Sequence, residues 1–310
     1  MVYYKENIPI IFDFKRENND MAKTNAEYGN ESIQSLKGAD RVRKRPAVIF
    51  GSDGIDGCQH SIFEIISNSI DEAREGHGKK IIVTRYLDHS VEVEDFGRGV
   101  PLGFNEKEQR WNWELVFCEL YAGGKYDNNS EDSAYEFSLG LNGLGACATQ
   151  YSSEFFKVKS YDGANLSEIS FEKGEAVTKL NVRELEKKER RTGTVIHWRP
   201  DLQVFTDIDI PKEYFTDMLK RQAVVNKGIT FKFRNQVGKK FEEEEYCYTD
   251  GIRQYIEEMV GDNAFTMPVF WEAERRGRDA ENRPEMKLKI TVSFCFSKQV
   301  SHTEYYHNSS

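Results

Sequence analysis

Apolar and polar positions recur along this chain with two different periods, and the period marks the elements. Between Gln59 and Glu75, Ile62, Ile66, Ile70 and Ala73 form one helical stripe while His60, Glu64, Asn68 and Asp71 form another. That spacing predicts an amphipathic helix, stopped by Gly76. KKIIVTRYL and SVEVED alternate with period two around Asp88 and His89. They predict a hairpin, with Asp95 where a strand meets a glycine turn at the edge of a sheet. Further strands are predicted at FFKVKSY, LSEISFE, GTVIHWRP and ITFKFRN, with a helix over KEYFTDMLKRQAVVN between the last two. Trp113 to Tyr121 suits a helix, and so does SIQSLKGADRVRKRP from Ser32, closed by Pro46.

Two stretches break the periodicity. From Ala122 to Gly145 the chain is too rich in Gly, Asn, Asp and Ser for regular structure, and a loop of that length is usually functional. The acidic run Glu242 to Glu245 is expected to close the first domain. Beyond it TDGIRQYIEEMV reads as a helix, Glu274 to Glu285 as a polar loop and MKLKITVSFCFS as a strand. These elements are too few for a complete core, so the sequence is expected to stop inside its second domain. The expected division is 1–30, 31–245 and 246–310, with Met21 offering an alternative start.

Composition narrows the class. A chain of 310 residues, 38% hydrophobic, is long enough for two cores and too apolar for wholesale disorder. No apolar run reaches the roughly 20 residues that cross a bilayer, and the start lacks a secretory signal, so a cytoplasmic protein without a membrane partner is expected. Five scattered cysteines show neither zinc spacing nor a disulfide framework. A net charge of -9 argues against a broad nucleic-acid surface, leaving one local basic patch at Arg41, Arg43, Lys44 and Arg45.

Three motifs in fixed order divide the chemistry of nucleotide hydrolysis among themselves: EIISNSIDEA, EDFGRGVP, and AGGKYDNN running into LGLNGLG. His60, Glu64 and Asn68 are spaced four apart and line about 12 Å of helix. A carboxylate there can act as general base on water, a neutral amide can take one position on magnesium, and His60 can hold the carboxylate. Asp95 can accept from an exocyclic amino group, and Gly97 and Gly99 let a planar base come close. Arg98 is expected to pair with Asp71 or Glu72. The glycine-rich third motif offers backbone amides, and a helix from about Ala146 adds its positive end, which suits phosphate. GLNGLG fits neither the Walker pattern nor a dinucleotide fingerprint. Taken singly, each motif also reads as a solvated helix face, an ordinary turn or a surface loop.

In these motifs, in SIQSLKGADRVRKRP and in RRTGTVIHWRPD, the chain from about Tyr28 onward resembles the ATPase region of the B subunits of bacterial type IIA topoisomerases, DNA gyrase and topoisomerase IV. The resemblance implies an α+β fold: a GHKL (Bergerat) two-layer α/β sandwich with a mixed sheet, followed by the start of a transducer domain with a ribosomal-protein-like β-α-β fold. It implies ATP and Mg2+ as ligands. Glu64 would be the base, His60 its helper, Asn68 the magnesium ligand and Asp95 the adenine acceptor, with Thr194 sharing the adenine through water. Gly123, Gly124, Lys125, Asn142, Gly143, Leu144 and Gly145 would form the lid over the phosphates, and Tyr28 would lie on an arm reaching a partner's pocket. The implied partners are a second copy across the ATPase gate, the topoisomerase A subunit and duplex DNA. Phe96 after the adenine aspartate, the AVIF run from Ala47 to Phe50, Asn142, Glu136 and a longer lid through SEDSAYEF depart from the family pattern.

Other readings remain open at this stage. The resemblance places a lysine needed for hydrolysis beyond Ser310, so weak or no turnover is expected of this stretch of chain, and a nucleotide-binding dimerisation switch is one alternative. Another GHKL protein, such as a MutL-like ATPase, is a second, and the RKRP opening and GGK lid count against it. The chain has no EGDSA motif, so DNA cleavage is expected elsewhere.

Overall fold

The structure is a computed structural model and describes residues 35–122, 139, 143–278 and 285–306. Lys37–Ser310 forms one compact unit. Its first elements are short: α1 (Asp40–Arg43) and α2 (Pro46–Phe50) replace the single helix expected from Ser32. Pro46 opens α2 instead of ending a helix, because the first helical position needs no N–H donor. The long helix α3 runs over Ile55–Arg74, four residues earlier than expected, and the chain turns at Gly76 with φ +86°.

Strands β1 (Lys80–Arg85) and β2 (Val91–Asp95) form the predicted hairpin. A small ribbon, β3 (Phe104–Asn105) with β4 (Arg110–Trp111), leads into α4 (Asn112–Cys118). After the glycine-rich stretch come α5 (Gly145–Tyr151), β5 (Ser153–Asp162), β6 (Asn165–Glu172), β7 (Glu175–Ala176), β8 (Asn181–Glu184) and β9 (Thr192–Pro200). Helix α6 (Lys212–Val225) then precedes β10 (Thr230–Val237) and β11 (Lys240–Tyr246).

These strands make one mixed sheet in the order β11-β10-β1-β2-β9-β5-β6-β7, with β8 also on β6. Only β1 and β10 run parallel among the described pairs. Along β2, Val91, Val93 and Asp95 are buried while Glu92 and Glu94 are half-buried on the other side, so one face of the sheet carries the helices. Ile62, Ile66 and Ile70 of α3 and Phe215 and Leu219 of α6 pack with Phe231, Phe233, Phe156 and Trp198 in that layer, all with at most 1% exposure. Burial of this kind contributes about 1.5–3 kcal/mol per large side chain and dominates the fold.

Three expectations change. Asp95 ends a central strand, flanked by β1 and β9, and does not lie at an edge of the sheet. Glu242 to Glu245 form most of β11, the edge strand, because neighbouring cations neutralise them: Lys232 and Arg234 reach Glu243 at 2.7 and 3.1 Å, and Lys212 reaches Glu244 at 2.8 Å. After α7 (Ile252–Val260), β12 (Val269–Gly277) pairs antiparallel with β13 (Met286–Phe294). The start of the expected polar loop is therefore strand, with Glu274 held by Lys287 at 3.0 Å.

Candidate active site

Helix α3 supplies the first half of the site. His60 Nε2 lies 3.1 Å from Glu64 Oε1, and His60 Nδ1 lies 3.2 Å from the Phe50 carbonyl oxygen. Both partners are acceptors, so the doubly protonated ring satisfies both contacts. The Glu64 hydrogen bond accordingly raises the His60 pKa above its ordinary value, against the opposing effect of burial. One turn on, Asn68 Nδ2 donates to the Glu64 carbonyl at 3.0 Å, which fixes which end of the amide is the oxygen. Asp71 is 2% exposed and accepts from the Leu139 N–H at 2.8 Å, so it leaves the solvated stripe and holds one point of the glycine-rich segment.

Asp95, 7% exposed, supplies the second half. Its Oδ1 accepts from the Gly97 and Thr194 N–H groups, each at 3.0 Å, and its Oδ2 from Ser69 Oγ at 2.9 Å. A carboxylate has roughly four acceptor positions, so Oδ2 retains one for a further donor. Burial raises the Asp95 pKa, and the three donors oppose it. Thr194 Oγ1 accepts from the Val100 N–H at 3.1 Å, which ties the start of β9 to the turn after β2. Gly193, at φ +131°, permits this approach: a Cβ there would sit 2.1 Å from the Asp95 carbonyl oxygen.

Arg98 grips Glu72 with two bonds, Nη2 to Oε1 at 2.8 Å and Nε to Oε2 at 3.0 Å. Burial would raise the Glu72 carboxyl, but the guanidinium outweighs it and the pKa falls below its ordinary value. The space a Cβ would take at Gly97 is occupied by Glu72, and at Gly99 by the Tyr161 backbone, so both glycines serve chain packing at this turn.

The glycine-rich motif is described only at its ends. The Tyr121 N–H donates to the Gly143 carbonyl at 3.0 Å, so the two stems of the lid segment meet. Leu144 caps α5, and Gly145 lies directly on the proposed base: a Cβ there would be 2.0 Å from Glu64 Oε2. Tyr28, Gly123, Gly124, Lys125, Glu136 and Asn142 lie outside the described residues. Among the described residues no group of three or more His, Cys, Asp or Glu side chains could hold a metal. Magnesium takes one or two protein oxygens and otherwise keeps phosphates and water, and the Asn68 amide oxygen could take one such place.

Sequence reasoning missed Ser69 and the Phe50 carbonyl. Ser69 falls on the apolar stripe of α3, three residues after Ile66, and a hydroxyl there signals a buried partner.

The chain is 32% identical over 284 residues to the DNA gyrase B protein of Mycoplasmoides gallisepticum, covering 91% of this chain and 42% of that protein. It is 33% identical over 242 residues to the DNA topoisomerase IV B protein of Mycoplasma capricolum, covering 77% and 36%. The chain belongs to the DNA gyrase B and topoisomerase IV B family. It spans less than half the length of these relatives. No protein-family model matches it. Among solved structures, the 43K ATPase domain of Thermus thermophilus gyrase B, in complex with an aminocoumarin, superimposes with a TM-score of 0.65 at 24% identity over 84% of this chain and 63% of that one. The topoisomerase IV ATP-binding domain of Francisella tularensis, in complex with a small-molecule inhibitor, gives 0.60 at 28% over 79% and 62%. The mixed sheet with its single helical layer is thus the gyrase B fold. Among the described residues no helix is long and apolar enough to cross a membrane.

Proposed function

We propose that this chain binds ATP with magnesium and carries the base for its hydrolysis, as the ATPase region of the B component of a type IIA topoisomerase. The observation that carries the reading is the coupling of the two half-sites through α3: Glu64 and Asn68 face one way, and Ser69 fixes Asp95 at the end of β2. The rise from Glu64 to Ser69 is about 7.5 Å, within the length of a triphosphate and ribose. Asp95 Oδ2 accepts from the adenine amino group, and Thr194 supports that edge through water. Gly143, Leu144 and Gly145, with Gly123, Gly124, Lys125 and Asn142 of the lid, receive the phosphates.

For hydrolysis, Glu64 takes a proton from a water as its oxygen forms a bond to the terminal phosphorus and the bond to the bridging oxygen breaks, releasing ADP and phosphate. His60, held by the Phe50 carbonyl, keeps the Glu64 carboxylate oriented. Asn68 would hold magnesium, which supplies neutralisation of phosphate charge when bound.

In the whole protein, the reading assigns 1–30 to a dimer arm bearing Tyr28, 31–245 to the ATPase domain and 246–310 to a transducer segment. ATP would close a dimer gate on duplex DNA, with the topoisomerase A subunit performing cleavage. Calorimetric titration of the chain with a non-hydrolysable ATP analogue and magnesium tests the pocket. Saturable binding of one nucleotide per chain is expected, and a folded chain that binds none would overturn the reading.

A further inference from the structure

The ladder between β2 and β9 stops at Glu94 and Val195, one residue short of Asp95. Beyond that pair the Thr194 N–H is turned onto the Asp95 side chain, and the Gly97 N–H joins it on the same oxygen. Two backbone segments must therefore hold their spacing without a ladder bond between them, at the point where the adenine acceptor is aimed.

One guanidinium bridges the gap. Arg191, just before β9, lies with its Cζ 5.0 Å from the Phe96 ring centroid and 4.3 Å from that of Tyr161. Its Nη1 donates to Glu94 Oε1 at 2.5 Å, and its carbonyl accepts from the Gly163 N–H at 3.0 Å. Glu94 and Phe96 flank Asp95 on β2 and its turn, and Tyr161 belongs to β5, so this side chain bridges β2 and β5 from the segment that leads into β9. Arg191 Nε and Nη2 are buried without a hydrogen-bond partner among the described residues. The group is thus held by the Glu94 carboxylate and the two ring faces together.

We propose that Arg191 is a positioning residue for Asp95, with the Phe96 ring as the face on which it rests. The clamp sets the distance between the Gly97 and Thr194 amides, and so the direction of Asp95 Oδ2. This rests on the adenine role proposed for Asp95. Lysine cannot replace the planar group between two rings.

ADP and IDP have the same phosphates and ribose and differ at the purine edge that Asp95 would read. Their affinities would be compared, with magnesium, for the parent chain, Arg191→Met, Arg191→Lys and Phe96→Asn, with thermal unfolding recorded for each. The parent is expected to prefer ADP. Each variant should lose about tenfold in ADP affinity with IDP little changed, so that the preference collapses while the fold persists. Equal losses for both nucleotides would mean a general structural role and overturn the proposal, as would an unchanged preference in the folded variants. A variant that fails to fold leaves the milder Phe96→Leu, which keeps an apolar side chain but removes the ring, to give the same comparison. A parent that binds ADP and IDP alike would instead overturn the adenine role itself.

Discussion

Ser69 Oγ donates to Asp95 Oδ2 at 2.9 Å, and this single bond joins α3 to the end of β2. Ser69 is 5% and Asp95 7% exposed, so neither can exchange its partner for bulk water. The bond also places the acceptor beside the helix that carries Glu64. Ser69→Ala should lower stability by about 2 kcal/mol, the usual scale for a buried hydrogen bond to a charged group. It should also raise the Asp95 pKa further, since one of the three opposing donors is gone. Chemical denaturation checks the first effect, and the pH dependence of nucleotide binding the second. An unchanged midpoint would mean that water replaces the hydroxyl.

Asp95→Asn separates binding from folding. The retained carbonyl oxygen can still accept from Gly97 and Thr194, and the new amide can donate to Ser69 Oγ, whose hydroxyl accepts as well as donates. Because burial raises the Asp95 pKa, ionised Asp95 costs stability at neutral pH, and the neutral amide removes that cost. Thermal unfolding should therefore shift little or upward. Adenine nucleotide affinity should fall about 10- to 100-fold, because an N–H group replaces the acceptor. Retained affinity in calorimetry would remove Asp95 from the binding role.

The α3 stripe is legible in the sequence because its isoleucines keep helical spacing, and Asp95 because alternation in SVEVED ends at a glycine. What escapes depends on neighbours distant in sequence. Four consecutive glutamates read as a solvated linker until Lys232, Arg234 and Lys212 are brought beside them, and then they form a strand. Asp95 reads as an edge residue until β9, nearly a hundred positions on, completes the sheet around it. Ser69 announces a partner by standing on an apolar face, but only the crossing of α3 over β2 says which one. Arg191 carries no local signal, since its two ring partners lie far off in sequence, one on the turn after β2 and one on β5.

His60 makes a testable link between charge and stability. Its pKa is raised from 6.5, chiefly by the hydrogen bond to Glu64, so folding favours the cation. The stabilising contribution is then full below about pH 6.5 and is lost as pH rises through the higher folded value. The stability difference between the parent and His60→Gln should be larger at pH 6 than at pH 9. Both side chains are partly exposed, at 45% and 29%, so the difference should also shrink in high salt. Equal differences at both pH values in urea titrations would show that the ring contributes only packing against Phe50.

Gly145→Ala addresses the base without touching it. Gly145 is the first residue of α5, where alanine is a better helix former, and its φ does not demand glycine. The constraint is Glu64: the added methyl would stand 2.0 Å from Oε2 and 2.8 Å from Cδ, far inside contact distance. The Glu64 carboxylate is at the free end of a flexible side chain and should swing away, while Glu64 Cβ, 3.0 Å from the methyl and fixed to α3, requires the two helices to part by a few tenths of an ångström. That breaks its alignment with His60 and with the water it is proposed to activate, and displacement on the order of 1 Å can cost about 100-fold in rate. The expected outcome is a chain that unfolds within a few degrees of the parent and binds the nucleotide analogue, yet loses whatever turnover the parent shows. Turnover equal to the parent's, in a variant whose binding is also intact, would mean that Glu64 is not the base.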